Sequence, residues 1–234
     1  YGQKVKELSD KWWDKIETST KIAKNQKELE VYRASLKPGD ITLLGCLTEG
    51  GQGLATANNG KYIAVRRSTK WAENIIKSRP KKLAEAIKKK KVCVPQMANF
   101  ANEKDFLDSL SEKEIATLFD ALKEQYGRDI FGQGYLYKII EDDELANVED
   151  LTKDEKENGI DISKNYYVPY DKGDKDGNRW YLETPFAIAW SKENVQFLKT
   201  DPKARYQGYV FFFREGFCWS DINTTFLKCR KKDK

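Results

Sequence analysis

The sequence predicts an α+β fold: an N-terminal helix, β segments with a helical insertion, and a C-terminal antiparallel β region. Two observations indicate it. Apolar residues recur at helical spacing from Val5 to Ile16 and again over residues 103–126. From Tyr166 onward, aromatic and β-branched runs alternate with turn residues. Mean hydropathy is -0.75, and no apolar run approaches the roughly 20 residues of a membrane-spanning helix. A soluble chain is therefore expected.

Residues 1–40 are expected to form an N-terminal helical segment, which ends at the turn signal Lys37-Pro38-Gly39-Asp40. Residues 41–47 are a short apolar run of strand length. Residues 50–60 then form a loop, in which Asn59-Gly60 suits a tight turn before a paired strand at 62–65.

A helical insertion is expected over about residues 71–127. Residues 71–91 favour one or two helices broken at Pro80. Residues 103–126 are helical as well, because Ser111 and Glu114 form a capping box ahead of an apolar face, and Gly127 is a plausible end. A strand is expected within 131–140, and a polar surface loop or short helices over 142–163.

The remaining β segments are expected at 166–170, 180–181, 186–190 and 209–214, the last supplying core through Phe211, Phe212 and Phe213. Residues 41–234 are thus predicted to be one α+β domain with a helical insertion. Since the chain begins at Tyr1 without Met and stops at Lys234, we expect a fragment of a longer protein that is truncated at its C-terminus.

Composition excludes several kinds of chemistry. There is no His, so Ser-His-Asp and Cys-His catalysis and histidine metal sites cannot be built from this sequence. None of the four Cys forms a C-x-x-C pair, which argues against a zinc knuckle. No secretory segment is visible, so a cytoplasmic location with reduced thiols that serve as small core residues is expected.

Charge is unevenly distributed. Residues 61–91 hold 12 Lys or Arg against 2 Glu, a balance of +10, whereas residues 141–161 hold 10 acids against 2 Lys, a balance of −8. Each run taken alone is equally well explained by solvated surface. Together they indicate a basic face for an anionic polymer, kept apart from an acidic edge.

The glycine-rich residues 50–61 do not form a nucleotide loop. Six residues separate Gly53 from Gly60, and Tyr62 follows Lys61, so the Walker spacing fails. Phe131-Gly-Gln-Gly-Tyr135 lacks the spacing of a methyl-donor loop. Two interpretations of residues 50–61 stay open: a glycine-rich turn connection, or a loop whose amides and polar side chains meet DNA.

A second polar segment surrounds the strong turn at residues 171–178. Lys172, Lys175 and Arg179 suit phosphate contacts, and Trp180 follows directly. The alternative is a hairpin whose Trp faces the core and whose Lys residues are only solubilising. The acids of 141–161 lack the strand-borne pattern that fixes Mg²⁺, which makes a nuclease site the less favoured interpretation.

In their order along the chain, several blocks between residues 43 and 230 resemble adenine-specific DNA methyltransferases of type II restriction–modification systems. That family includes combined restriction–modification polypeptides and BREX-type phage-defence relatives. The blocks are Gly53-Leu-Ala-Thr-Ala-Asn-Asn59, Val168-Pro-Tyr-Asp-Lys-Gly173, Arg179-Trp-Tyr181, Ala189-Trp190, Ala204-Arg-Tyr206 and Phe213-Arg-Glu-Gly-Phe-Cys-Trp-Ser220. Many relatives have Thr-Gly-Asn where this chain has Thr56-Ala57-Asn58, and they continue beyond the Trp-Ser motif.

The resemblance implies a target-recognition region that lies C-terminal to the catalytic domain and binds double-stranded DNA without catalysis of its own. S-adenosylmethionine is expected only in the parent's methyltransferase domain. That domain is the second expected partner, beside DNA. Whether the parent also cleaves DNA stays open. A scaffold or subunit-docking domain is the alternative, and a Mg-dependent nuclease is less favoured. The expected DNA-contacting residues are Thr56, Asn58, Asn59, Lys61, Lys172, Lys175, Arg179, Trp180, Arg205, Arg214, Trp219 and Ser220. The basic helices of residues 70–91 would add sequence-independent attraction.

Overall fold

A computed structural model describes residues 25–38, 46, 48–172, 184–219 and 229–232. Within these residues, seven α-helices accompany a mixed four-stranded sheet and a small antiparallel two-stranded sheet, which confirms the α+β class. The chain divides into two compact units, residues 1–53 and residues 54–234. None of the described helices is long and apolar enough to cross a membrane.

In the first unit, helix α1 spans Gln26–Ser35. The side chain of Asn25 caps its start by accepting from the backbone N–H of Lys27 at 3.2 Å. Near the end of α1, the Arg33 guanidinium donates to the carbonyl of Cys46, whose side chain is buried. Helix α1 confirms the helical prediction for this stretch, whereas the predictions for residues 1–24 and nearly all of 41–47 lie outside the described residues.

The four-stranded sheet organises the second unit. Its strands are β1 (Ile63–Arg66), β2 (Lys138–Ile140), β3 (Tyr167–Pro169) and β4 (Phe186–Ala189), in the order β2-β1-β4-β3. Strand β1 runs parallel to β2 and antiparallel to β4, and β3 is antiparallel to β4. Strand β4 is apolar and buried throughout, and β1 is apolar and buried up to its last residue, the half-buried Arg66, as expected for strands covered on both faces.

The Asn59-Gly60 pair does not form the predicted tight turn. Residues Asn59–Tyr62 form a short helix, α2, which leads directly into β1. The reason is local: the Asn58 side chain accepts from the Lys61 N–H at 3.1 Å and so caps a helical turn. The predicted strand that follows is confirmed, one residue later than expected.

Helix α3 (Lys70–Lys88) is continuous, although the sequence predicted a break at Pro80. An interior proline costs about 3 kcal/mol through its lost hydrogen bond and its steric clash. Ile75 and Leu83, on either side of Pro80, lie on the same buried face. Burial of each contributes about 1.5–3 kcal/mol, so packing holds a single helix axis through the proline.

The C-terminal end of α3 is unusual. Lys91 N–H donates to Ala86 O at 2.9 Å and Lys90 N–H donates to Ile87 O at 2.8 Å, the paired bonds of a Schellman motif. Lys90 adopts φ +53°, the left-handed conformation that glycine normally supplies at this position. For an L-residue this conformation costs roughly 1–2 kcal/mol.

Helices α4 (Glu103–Asp108) and α5 (Glu112–Tyr126) complete the insertion. The Ser111–Glu114 capping box and the end at Gly127, with φ +103°, are as predicted. Between α3 and α5, Phe119 stacks on Phe131 with centroids 3.8 Å apart. The buried cations Arg79 and Lys123 each lie 5.6 Å from the Phe119 ring centre, and burial lowers the pKa of Arg79.

The acidic stretch forms short surface elements, as predicted: 3₁₀ turns at Asp142–Glu144 and Val148–Asp150, then helix α6 (Lys153–Asn158). Several of its acids pair with cations. Asp142 pairs with Arg66 at 2.8 Å. Glu155 accepts from Lys164 at 2.8 Å and from Thr152, and these bonds lower the pKa of Glu155 to about 2.

Helix α7 (Lys192–Thr200), capped by Ser191, was not predicted. The strand predicted at 209–214 is wrong: Tyr209–Phe211 is a 3₁₀ turn, and Phe213 has φ +58°. Both edges of β4 are already taken by β1 and β3, so these aromatic residues pack from an irregular backbone instead of joining that sheet. Phe212 and Phe213 still pack against the core, as expected of them.

The small sheet consists of β5 (Gly216–Trp219) and β6 (Cys229–Lys232). The strand predicted at 180–181 lies outside the described residues. The cysteine prediction holds for Cys46, which is buried, and is wrong for Cys93, which is exposed because it lies in the irregular segment after α3. Cys218 and Cys229 are half-buried, and Cys218 Sγ donates to Asp171 Oδ2 at 2.5 Å.

Candidate nucleic-acid interface

Three segments that are far apart in sequence meet in the second unit. Tyr170 Oη donates to Leu54 O at 2.6 Å, and burial raises the pKa of Tyr170 to about 12, so the hydroxyl remains a donor. Ala55 and Arg205 exchange two backbone hydrogen bonds of 3.1 and 2.8 Å. We call residues 54–61, 170–172 and 204–206 the joined segments. They contain parts of three of the blocks that carry the family resemblance.

The loop that opens the joined segments is internally bonded. Thr56 is only 1% exposed, and its hydroxyl donates to Asn59 Oδ1 at 2.9 Å. Ala57 adopts φ +56°, which lets Asn58 N–H reach Thr56 O at 2.6 Å. Thr56 therefore orders the loop and is removed from the set of DNA-contacting residues. Asn58 is exposed, although its side-chain oxygen is used as the α2 cap.

Lys61 lies at the surface against an aromatic ring. Its Nζ is 4.3 Å from the centre of Phe197 and 5.1 Å from that of Tyr62. Exposed cation–π contacts contribute about 0.5–1 kcal/mol, enough to orient the ammonium group without withdrawing it from solvent. Phe197 is 46% exposed on α7, so cation and ring form one surface feature.

Lys172 is engaged inside the fold. It is half-buried, its ammonium contacts Tyr137 Oη, and it lies 4.9 Å from the Tyr137 ring and 5.4 Å from the Phe186 ring. These rings draw Lys172 into the packing beside the sheet, so its ammonium group has partners within the fold; its phosphate contact stays a prediction. Lys175, Arg179, Trp180 and Ser220 lie outside the described residues, and for Trp219 only the backbone, in β5, is described.

Arg205 and Arg214 are the exposed cations among the predicted site residues whose charge is not used internally. Neither guanidinium takes part in an ion pair within the described parts of the chain. The backbone of Arg205 is fixed by its bridge to Ala55. Arg214 directly follows Phe213, whose ring centre is 5.5 Å from that of Trp190. Both arginines thus have a backbone held by neighbouring contacts and an exposed side chain.

Three aromatic rings form a nearly parallel stack from core to surface. Tyr206 lies between Trp190 and Tyr209, with centroids 6.2 and 6.0 Å away and planes within 14° and 15° of theirs. We call these three residues the aromatic ladder. Trp190 is 2% exposed and Tyr209 is 57% exposed. The inner ring is anchored, because Trp190 Nε1 donates to the carbonyls of Glu155 and Lys156 at 3.2 Å each.

Sequence reasoning missed Phe197 and the stacking role of Tyr209. Phe197 was missed together with α7, although Ser191 followed by Val195 and Leu198 carries a cap and a helical apolar spacing. Tyr209 was assigned to a strand, where alternate side chains would face opposite sides and no stack on Tyr206 would form. The ladder depends on the 3₁₀ turn that replaces this strand.

Within the described residues, no group of three His, Cys, Asp or Glu side chains is placed to hold a metal ion. Asp142 is instead paired with Arg66. Comparison of the whole chain with protein-family models, curated proteins and solved structures finds no match.

Proposed function

We propose that this chain is a DNA-binding target-recognition region of a restriction–modification adenine-specific DNA methyltransferase. Methyl transfer and S-adenosylmethionine would belong to a separate domain of the parent. The observation that carries the proposal is the joining of residues 54–61, 170–172 and 204–206, which brings blocks of the resemblance into one place beside the aromatic ladder.

The chemistry of this surface suits duplex DNA. Arg205 and Arg214 offer planar donors for phosphates or for a guanine edge, and their charges need not be withdrawn from internal partners. Asn58 offers an exposed side-chain NH₂ group as a donor to an acceptor on a base edge, since its oxygen caps α2. Tyr209 presents a ring on which a sugar or an unstacked base can pack. Lys61, held over Phe197, adds a phosphate contact.

The test is a fluorescence-anisotropy titration of the full chain with a pool of random-sequence duplexes of about 25 base pairs, at low salt, followed by recovery and sequencing of the bound fraction. We expect salt-sensitive binding and enrichment of a short base pattern. Arg205→Ala/Arg214→Ala should weaken binding to the enriched sequence at least tenfold, since a base contact contributes about 1–3 kcal/mol. Lys104→Ala/Lys113→Ala, with the same charge change at exposed sites elsewhere, is the control.

Two outcomes would overturn the proposal. Absence of binding at low salt would exclude a DNA-binding region. Binding without any enriched base pattern would exclude target recognition, and the aromatic ladder would then fit the scaffold or subunit-docking alternative better.

A further inference from the structure

Helix α3 carries lysines along one side. Lys70, Lys77, Lys81 and Lys88 are separated by seven, four and seven residues, so they stay within about 40° of one another around the helix axis. The opposite side packs into the fold through the buried residues Ala72, Ile75, Arg79, Leu83, Ala86 and Ile87. The lysines therefore face solvent along about 27 Å of helix.

In the part of the chain that the structure describes, Lys77 alone of these four lysines forms an ion pair, with Glu73 at 2.8 Å. Within the described residues, Lys70, Lys81 and Lys88 form no ion pair, and exposed lysines continue past the helix end at Lys89, Lys90 and Lys91. We call Lys70, Lys77, Lys81 and Lys88–Lys91 the lysine stripe. A helix dipole is complemented by one or two cations in the last turn, so it does not account for this number.

Lys90 provides a second, independent indication. It occupies the left-handed position of the Schellman motif, with φ +53°, where glycine is the favoured residue. A sequence that breaks a local rule without a structural gain does so most often at a functional position. Lys90 makes no ion pair among the described residues, so the feature that its side chain adds is a charge in solvent.

The partner follows from this chemistry. A helix that binds a membrane surface inserts an exposed apolar face, whereas the apolar face of α3 is buried. Duplex DNA presents one negative charge per about 1.7 Å of axis when both strands are counted, so a duplex segment as long as α3, about 27 Å, carries roughly 16 phosphates. Flexible lysines meet such a field without fixed geometry.

We propose that the lysine stripe is a second surface, separate from the joined segments, that binds the phosphate backbone of duplex DNA without reading sequence. Its choice of partner rests on the proposed function. The two proposals can fail separately, because mutations in the two surfaces should have different effects. Mutations in the joined segments should reduce the preference for one DNA sequence, whereas mutations in the lysine stripe should reduce affinity equally for every sequence.

The experiment compares two triple variants of the full chain. Lys70→Gln/Lys81→Gln/Lys88→Gln removes three stripe charges, and Lys104→Gln/Lys113→Gln/Lys153→Gln removes three exposed charges elsewhere. Binding to several unrelated duplexes is measured between about 50 and 200 mM salt. The stripe variant should lose about 0.9 in the slope of log K against log salt per contact, about 2.7 in all, equally on every sequence. An unchanged slope, or an equal loss in the control, would overturn the proposal.

Lys90→Gly separates charge from structure. Glycine relieves the left-handed strain, so the thermal midpoint should rise by about 2–4 °C, while the salt slope falls by about 0.9. A rise in midpoint with undiminished DNA binding would contradict a role for this charge. Co-sedimentation with anionic phospholipid vesicles completes the test: stripe-dependent vesicle binding as strong as DNA binding would overturn the choice of DNA.

Discussion

The helix-ending glycines Gly159 and Gly127 offer a matched test of the packing beneath the aromatic ladder. Both have positive φ, +95° and +103°. A Cβ at Gly159 would lie 2.7 Å from Lys192 N and from the carbonyl carbon and oxygen of Ser191, whereas at Gly127 the nearest atom is Asp129 Oδ1 at 3.5 Å. Alanine is therefore strained at both positions, and it clashes with backbone only at Gly159.

The expected magnitudes follow from this difference. The strained backbone costs about 1–3 kcal/mol, and the reduced entropy of the unfolded chain offsets about 0.4–1 kcal/mol of it. Gly127→Ala should thus lose roughly 1–2 kcal/mol of unfolding free energy. Gly159→Ala should lose about 1–3 kcal/mol more, because backbone must shift to admit the methyl group. That shift falls on the bonds from Ile160 N–H to Trp190 O at 2.8 Å and from Lys192 N–H to Ile160 O at 3.0 Å.

Equilibrium urea unfolding followed by far-UV circular dichroism measures both variants against the parent chain. DNA binding is measured in parallel, and we expect Gly159→Ala alone to weaken it, since Trp190 at the base of the ladder is displaced. Equal destabilisation of the two variants would refute the close approach of Gly159 to Ser191. Unchanged binding in a destabilised Gly159→Ala chain would refute the dependence of the surface on the ladder.

Two further predictions concern single hydrogen-bonded side chains. Tyr170→Phe leaves the Leu54 carbonyl without its 2.6 Å donor. It should lower the unfolding free energy by about 1–3 kcal/mol and weaken DNA binding. A variant that matches the parent chain in both stability and binding would show that this bond does not join the segments. Glu155→Gln should lower the thermal midpoint at pH 7. Because the folded-state pKa of Glu155 is about 2, below its ordinary 4.5, the stabilisation is present above pH 4.5 and lost as pH falls towards 2. The gap between the two midpoints should close over that range, and a gap constant with pH would contradict it.

The elements that sequence predicted correctly are those set by local signals. Ser111 and Glu114 bond to each other's backbone three residues apart, and Gly127 supplies a positive φ that few residues adopt. Strand β4 is apolar at every position, so its four consecutive residues are enough to predict a buried strand. None of these depends on the rest of the chain.

The errors occurred where tertiary packing outweighed local preference. Pro80 breaks isolated helices, but the buried face of α3 continues on both sides of it. Phe211, Phe212 and Phe213 have strong strand preference, yet the rings of Phe212 and Phe213 are used to cover Trp190. In both cases the contacts that decide the conformation are made with distant segments. The helix or strand propensity of a residue does not include such contacts.

The candidate site was predictable in kind but not in geometry. Sequence identified the cations and aromatic residues, whereas their exposure depends on contacts such as that between Tyr170 and Leu54, which are 116 residues apart. Thr56 and Lys172 looked as available as Arg205 and differ from it only by burial and by ring contacts. The fold, not the residue type, separates them.

The two proposed surfaces differ in rigidity, and this difference divides their roles. Tyr209 stacks on a ladder that begins at the buried Trp190, so its ring loses little conformational freedom on contact. Arg205 stands on backbone fixed by a β-bridge, and its planar guanidinium loses less freedom per hydrogen bond than a lysine ammonium does. Groups held in this way are suited to discriminating one base from another, because a misplaced donor is not rescued by movement. The lysine stripe has long, mobile side chains on a rigid helix, which tolerate any sequence and act through charge alone. Under the two proposals, α3 would bind a duplex without sequence preference, and Arg205, Arg214 and Tyr209 would discriminate between bases.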